Sequence, residues 1–141
     1  MSKVTFYLLK DGQSSEQYMF ACRLCEKILS QKLKTYIHTD TKEQAEYLDD
    51  LLWSYQPESF LPHCIIDTNL DEDVSIVIGY ADKYQKEFDV LINLSQEFPN
   101  FHTSFSRIVE IIPADEEAKA LGRIRWKHYK VADYDLETHD A

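Results

Sequence analysis

Glycine is nearly absent: Gly12, Gly79 and Gly122 are the only three in 141 residues. Neither G-x-x-x-x-G-K-[ST] nor G-x-G-x-x-G can be written with them, which excludes the common phosphate-cradling loops. Cysteine is as scarce, and an odd count of three does not suit a disulfide framework. Cys22 and Cys25 form a C-x-x-C, but no second Cys or His pair stands at zinc spacing. They share one apolar side of a helical pattern with Tyr18 and Leu29, which predicts two small buried hydrophobes. No window approaches the roughly 18 apolar residues of a membrane span. The opening MSKVTFYLLK lacks the apolar run and small-residue cleavage site of a signal peptide. A cytoplasmic protein without membrane contact is the expectation.

Catalytic constellations are missing as well. The five histidines, His38, His63, His102, His128 and His139, are scattered, and none pairs with another or with Glu at ligand spacing. His63 beside Cys64, with Asp67 three residues on, could be sketched as a metal or nucleophile set, but neighbours of this kind arise by chance in most chains. Asp49-Asp50 and Asp71 to Asp73 sit in polar stretches that would not lift a carboxyl into catalytic range. No enzyme, cofactor or metal is expected.

What the chain has in excess is acid. Twenty-five Asp and Glu against fifteen Lys and Arg leave a net charge of −10, which argues against general binding to nucleic acid. One stretch stands apart: Ala118 to Lys130, AKALGRIRWKHYK, holds five of the fifteen bases, Lys119, Arg123, Arg125, Lys127 and Lys130, and no acid. At about 100° per residue of helix, Lys119, Arg123, Trp126, Lys127 and Lys130 fall within an arc of about 100°. Leu121, Ile124, His128 and Val131 fall roughly opposite and are expected to face the core. The cationic arc reads as a solvated face or as a binding face. Trp126 favours binding, because a large ring among cations is costly to leave in water.

The rest of the chain reads as one α/β domain, 1–141, whose stretch 133–141 is an acidic tail expected to be ordered in part. Strands are predicted at Val4 to Leu9, Lys34 to Thr39, Val74 to Tyr80, Asp89 to Ser95 and Arg107 to Ile112. Helices are predicted from Ser14 to about Gln31, from Thr41 to near Tyr55, and after Pro113. Ser14 with Gln17, and Thr41 with Gln44, have capping-box spacing. This alternation implies a largely parallel sheet. Between Trp53 and His63, Pro57 and Pro62 stop the helix while Trp53, Tyr55 and Phe60 cluster three aromatics. That loop either folds back on the core or presents a partner surface.

Taken together, VTFYLL, LLWSYQPESFLPH, IVEIIP and the closing RIRWKHYKVADYDL resemble the chi subunit of bacterial DNA polymerase III over the whole length. The resemblance implies a three-layer α/β/α sandwich on a largely parallel sheet, nucleotide-binding-like but without nucleotide or catalysis. It implies an adaptor of the replication clamp loader. One surface would bind the acidic C-terminal tail of single-stranded DNA-binding protein, through Lys119, Arg123, Trp126 and Lys127 with Ile112 at the apolar edge. Another, Trp53, Phe60, Pro62 and His63, would bind a psi subunit or another replication or repair protein. Trp126 takes the place of the smaller, tyrosine-like ring implied there. Gly122 lies inside the basic helix, where it costs about 1 kcal/mol relative to alanine. DNA would be contacted mainly indirectly. The alternative is a direct single-strand binder, with Trp126 as stacking platform and the cations tracking phosphates.

Overall fold

A computed structural model of the chain describes residues 2–10, 14–55, 62–66, 74–81 and 88–140. Its strands are β1 (Lys3–Leu8), β2 (Thr35–Thr39), β3 (His63–Ile65), β4 (Ile76–Tyr80), β5 (Val90–Asn93), β6 (Arg107–Ile112) and β7 (Asp135–Asp140). Its helices are α1 (Ser14–Ser30), α2 (Lys42–Ser54) and α3 (Glu116–Val131). The strands form one sheet in the order β3-β4-β2-β5-β6-β1-β7, and every pair is parallel.

The continuous apolar runs become central strands because both faces are covered. One face packs Ile37, Ile78, Ile92, Val109 and Ile111 against α1 and α2, which supply Cys22, Cys25, Ile28, Leu48 and Leu52. The other face packs Val4, Phe6, Leu91, Ile108 and Ile112 against Tyr129 of α3 and Phe105. The expected three-layer sandwich is therefore present. Cys22 and Cys25 are fully buried, and burial pushes the Cys22 thiol up to about 12 and the Cys25 thiol higher still. Both are core residues of α1.

Local signals placed most ends well. Thr41 accepts from the Gln44 backbone nitrogen while the Gln44 side chain reaches back, so the second capping box forms. The Ser14 side chain, on which the first depends, lies outside the described ones, and the Gln17 side chain donates to the Ile111 carbonyl, 2.9 Å away, tying α1 to β6. Asp115 caps α3 by accepting from Ala118, with Glu116 and Glu117 in the first turn, where the helix dipole favours acids.

Two elements differ from expectation. His63–Ile65, where no strand is predicted and His63 closes the Trp53 to His63 loop, forms the short edge strand β3 beside β4. Asp135–Asp140, read as part of a tail, is β7, running parallel to β1 at the other edge. Its acids point largely to solvent at an edge, and the alternation of Tyr134, Leu136 and Thr138 is its one sequence signal.

Candidate functional site

The sheet's connections decide where a cleft can open. β1 and β6 are neighbours, yet α1 follows β1 on one face and α3 follows β6 on the other. Such a switch point leaves a crevice beyond the carboxyl ends of the strands. The register sets Leu8 of β1 between Ile112 of β6 and Asp140 of β7 there. A cleft of about 800 Å³ lies at that end, walled by Phe6, Leu8, Leu9, Ile112, Pro113 and Trp126 and rimmed by Lys10, Lys119 and Arg123. Thr138 and Asp140 close it on the β7 side.

Trp126 is not the protruding ring that the helical wheel suggests. It is half-buried and meets Phe6 edge-on, with centroids 5.2 Å apart. One side of the indole is thus held by the core and the other walls the cleft. Gly122 has a positional reason: a Cβ there would stand 3.1 Å from Cδ1 of Ile112, so the missing side chain lets α3 ride close over the cleft's apolar floor.

Four of the five residues expected on the cationic site therefore meet: Ile112, Lys119, Arg123 and Trp126 line one cleft. Lys127 is exposed further round α3 and is not among the lining residues. Lys10, Leu8, Thr138 and Asp140 line the cleft without any signal in the local sequence pattern, the last two because β7 is not legible there.

The inward face of α3 also differs from expectation. Ile124 and Val131, expected inside, are 52% and 88% exposed, while Gly122, Arg125 and Tyr129 are buried. The reason is Glu110, an acid in the middle of apolar β6 and 0% exposed. Its Oε1 accepts from Arg125 Nε at 3.0 Å, and its Oε2 accepts from Tyr129 at 2.7 Å and Asn93 at 2.9 Å. Arg125 also donates to the Gln96 carbonyl at 2.8 Å. Burial pushes the Glu110 carboxyl above the usual carboxylate range, while the guanidinium and the donated hydrogen bonds pull it back. An acid this deep demands a buried cation, and that demand outweighs exposing two aliphatic side chains. The signal in the sequence is Glu110 itself, alone in Ile-Val-Glu-Ile-Ile.

At the opposite edge of the sheet, Trp53 ends α2 with 55% of its surface exposed. Its ring lies 4.4 Å from that of His63, which is buried beneath it. His63 Nε2 donates to the Asp49 carbonyl at 3.1 Å and lies 3.3 Å from Asp49 Oδ1. Of the aromatic surface, Trp53 is presented, His63 supports it, and Pro62 is half-buried. Phe60, Pro57 and Asp67 lie outside the described residues. Five strand spacings separate β3 from β1, about 24 Å, so the two surfaces do not overlap.

A second crevice, beyond β2 and β5, is lined by His38, Asp40, Glu97 and Phe101 among others. No Lys or Arg lines it among the described residues, and Asp40 is engaged by Ser95 and Gln96. Burial lowers the His38 imidazole to about 4, so it adds no positive charge near neutral pH.

Comparison with known proteins adds a family to this geometry. Residues 1–137 match the profile described as "DNA polymerase III chi subunit, HolC". The DNA polymerase III subunit chi of Pseudomonas aeruginosa is 31% identical over 139 residues, covering 99% of this chain and 96% of that one. The subunit chi of Escherichia coli K12 is 31% identical over 144 residues, covering 98% and 97%. That of Haemophilus influenzae is 30% identical over 137 residues, covering 96% and 95%. Among solved structures, S. cerevisiae Dbp5 bound to Nup159, Gle1, IP6 and ADP aligns with a TM-score of 0.66 at 11% identity, covering 99% of this chain and 42% of that one. The Dbp5 C-terminal domain bound to Gle1 and IP6 aligns at 0.64 and 12%, covering 99% and 90%. At such identities the likeness is one of fold.

Proposed function

This chain belongs to the DNA polymerase III chi subunit family, and from that premise we propose that it is the adaptor tying the replication clamp loader, through psi, to the acidic C-terminal tail of single-stranded DNA-binding protein. Membership makes it an accessory subunit of replication rather than a catalytic one. The observation that carries the finer reading is the cleft at the switch point. It combines an apolar pocket with Lys10, Lys119 and Arg123 on its rim, in a chain of net charge −10.

An acidic peptide ending in an apolar residue needs both parts. Carboxylates take charge-assisted hydrogen bonds from the rim, and the last side chain takes the place of water against Phe6, Ile112 and Trp126. A polyanion meets different conditions. Nucleic acid calls for a broad positive track, whereas here Lys10, Lys119 and Arg123 rim one discrete pocket in a chain of net charge −10.

The test is binding to single-stranded DNA-binding protein on DNA, with and without the last few residues of its tail. Deleting the tail is expected to remove capture, with naked oligonucleotide binding weakly or not at all. Tight binding to naked single strands, indifferent to the tail and lost in Trp126→Ala, would assign the cleft to DNA instead.

The Trp53 surface is the proposed psi side. Trp53→Ala is expected to cost about 2 kcal/mol or more of psi binding, the hot-spot scale, while leaving tail capture and folding nearly unchanged. Calorimetry with psi and a melting curve of the isolated variant check this. A large loss of thermal stability would place the ring in the protein's own packing rather than at an interface.

A further inference from the structure

We propose that Glu110, through Arg125 and Tyr129, sets the rotation of α3 about its axis, and that this setting is what forms the cleft. The inference rests on the tail-binding reading only for what the cleft holds; the rotational role stands on the geometry of α3 alone.

The helix carries two faces that could be buried. Gly122, Arg125, Trp126 and Tyr129 span an arc of about 100°, while Leu121, Ile124, His128 and Val131 form a second arc centred roughly 130° away. On hydrophobicity the second is the better inner face, since it has no full charge and two β-branched aliphatics. Yet Ile124 and Val131 are the exposed ones and Arg125 is inside. The side chains that overrule the apolar pattern are those meeting at Glu110: one carboxylate receives Arg125 and Tyr129, four residues apart on α3, together with Asn93 of β5. Two anchors one turn apart on the helix hold its rotation as well as its position. Arg125 also donates to the Gln96 carbonyl, which ties the helix to the loop after β5.

The cleft depends on that setting. Trp126 follows Arg125 directly and reaches Phe6, and Gly122 lies over Ile112, only while Arg125 and Tyr129 point at Glu110. Turning α3 toward its other face would carry Trp126 off Phe6 and Lys119 and Arg123 away from the pocket mouth. Buried ionic groups are best attested as devices that select one register over another, which is the role assigned here. Glu110, Arg125 and Tyr129 are positioning residues in this proposal, and none of them is among the residues lining the cleft.

The test uses the full chain with Trp53→Phe, so that Trp126 is its one indole. Glu110→Gln keeps the shape and removes the charge. Trp126 emission is expected to shift to the red, acrylamide quenching to rise, and affinity for a tail peptide to fall by about tenfold or more, the scale of one charge-assisted contact. Adding Ile124→Asp supplies the decisive readout. The carboxylate penalises burial of the competing face, so combined with Glu110→Gln it should restore the emission and most of the affinity, with little effect in the parent. A part that merely adds stability would not be rescued by a charge on the outside of the helix. Unchanged Trp126 emission in Glu110→Gln, or no recovery with Ile124→Asp, overturns the proposal. Should Glu110→Gln not fold, Tyr129→Phe removes one hydrogen bond and no ring, and the same emission shift and rescue are read at smaller amplitude. The emission measurements need no ligand. A parent that binds no tail peptide would refute the adaptor reading and leave the rotational result standing by itself.

Discussion

Arg123→Glu is expected to abolish capture of the tail of single-stranded DNA-binding protein while leaving the melting temperature almost unmoved. Arg123 is exposed on the rim of the cleft, so its replacement disturbs no packing. The binding loss is large because it has two parts. A charge-assisted hydrogen bond of about 1.5–3 kcal/mol disappears, and a carboxylate now repels the peptide's own. Affinity should fall by about a hundredfold or more at low salt, since every 1.4 kcal/mol is tenfold. The parent's affinity should itself weaken as salt shortens the screening length from about 10 Å at 0.1 M. Titration calorimetry at two ionic strengths measures both. Retention of parental affinity by Arg123→Glu would remove this side chain from the site.

Two residues along, Arg125→Ala should do the reverse in magnitude and kind. Arg125 is buried, and removing it strands the Glu110 carboxylate, 0% exposed, with only neutral donors. Breaking a buried pair from one side costs about 3–5 kcal/mol. For a chain of this size that is a fall in melting temperature of roughly 10–20 °C, and a large share of the about 5–15 kcal/mol that a domain has in total. Replacing Glu110 and Arg125 together by Leu and Met should cost much less, because no charge is then left unpaired. Thermal melts of Glu110→Leu, Arg125→Met and the double give the cycle. A small, additive effect would mean that the pair is solvated more than its burial indicates.

The contrast between these two arginines shows where the sequence was legible. Both lie in one basic run and look alike on a helical wheel, apart from their angle. Arg123 could be placed on the exposed face because exposure follows local pattern: cations of helical spacing next to a ring. Arg125 could not be placed, because its partner is fifteen residues away, on a strand. Ile124 and Val131 were assigned inward by the same local pattern and are outside for the same distant reason. β7 was missed because a solvent-facing edge strand needs little hydrophobicity when β1 supplies its backbone partners. Trp53 was legible as an aromatic at a helix end, whereas its support by buried His63 needed β3 to exist.

By itself the sequence determined the class of fold, since continuous apolar runs alternating with capped amphipathic helices admit little but a covered parallel sheet. It also determined that no glycine-rich phosphate loop could form, and which helix carries the concentrated positive charge. Only the tertiary structure decided the rotation of that helix, the burial of Glu110 with Arg125, and the meeting of Leu8, Ile112, Trp126 and Asp140 around one cleft. The division is physical. Propensity, periodicity and capping act within a few residues and leave their mark locally. A buried charge, a strand register and a switch point are settled by partners that only the folded chain brings together.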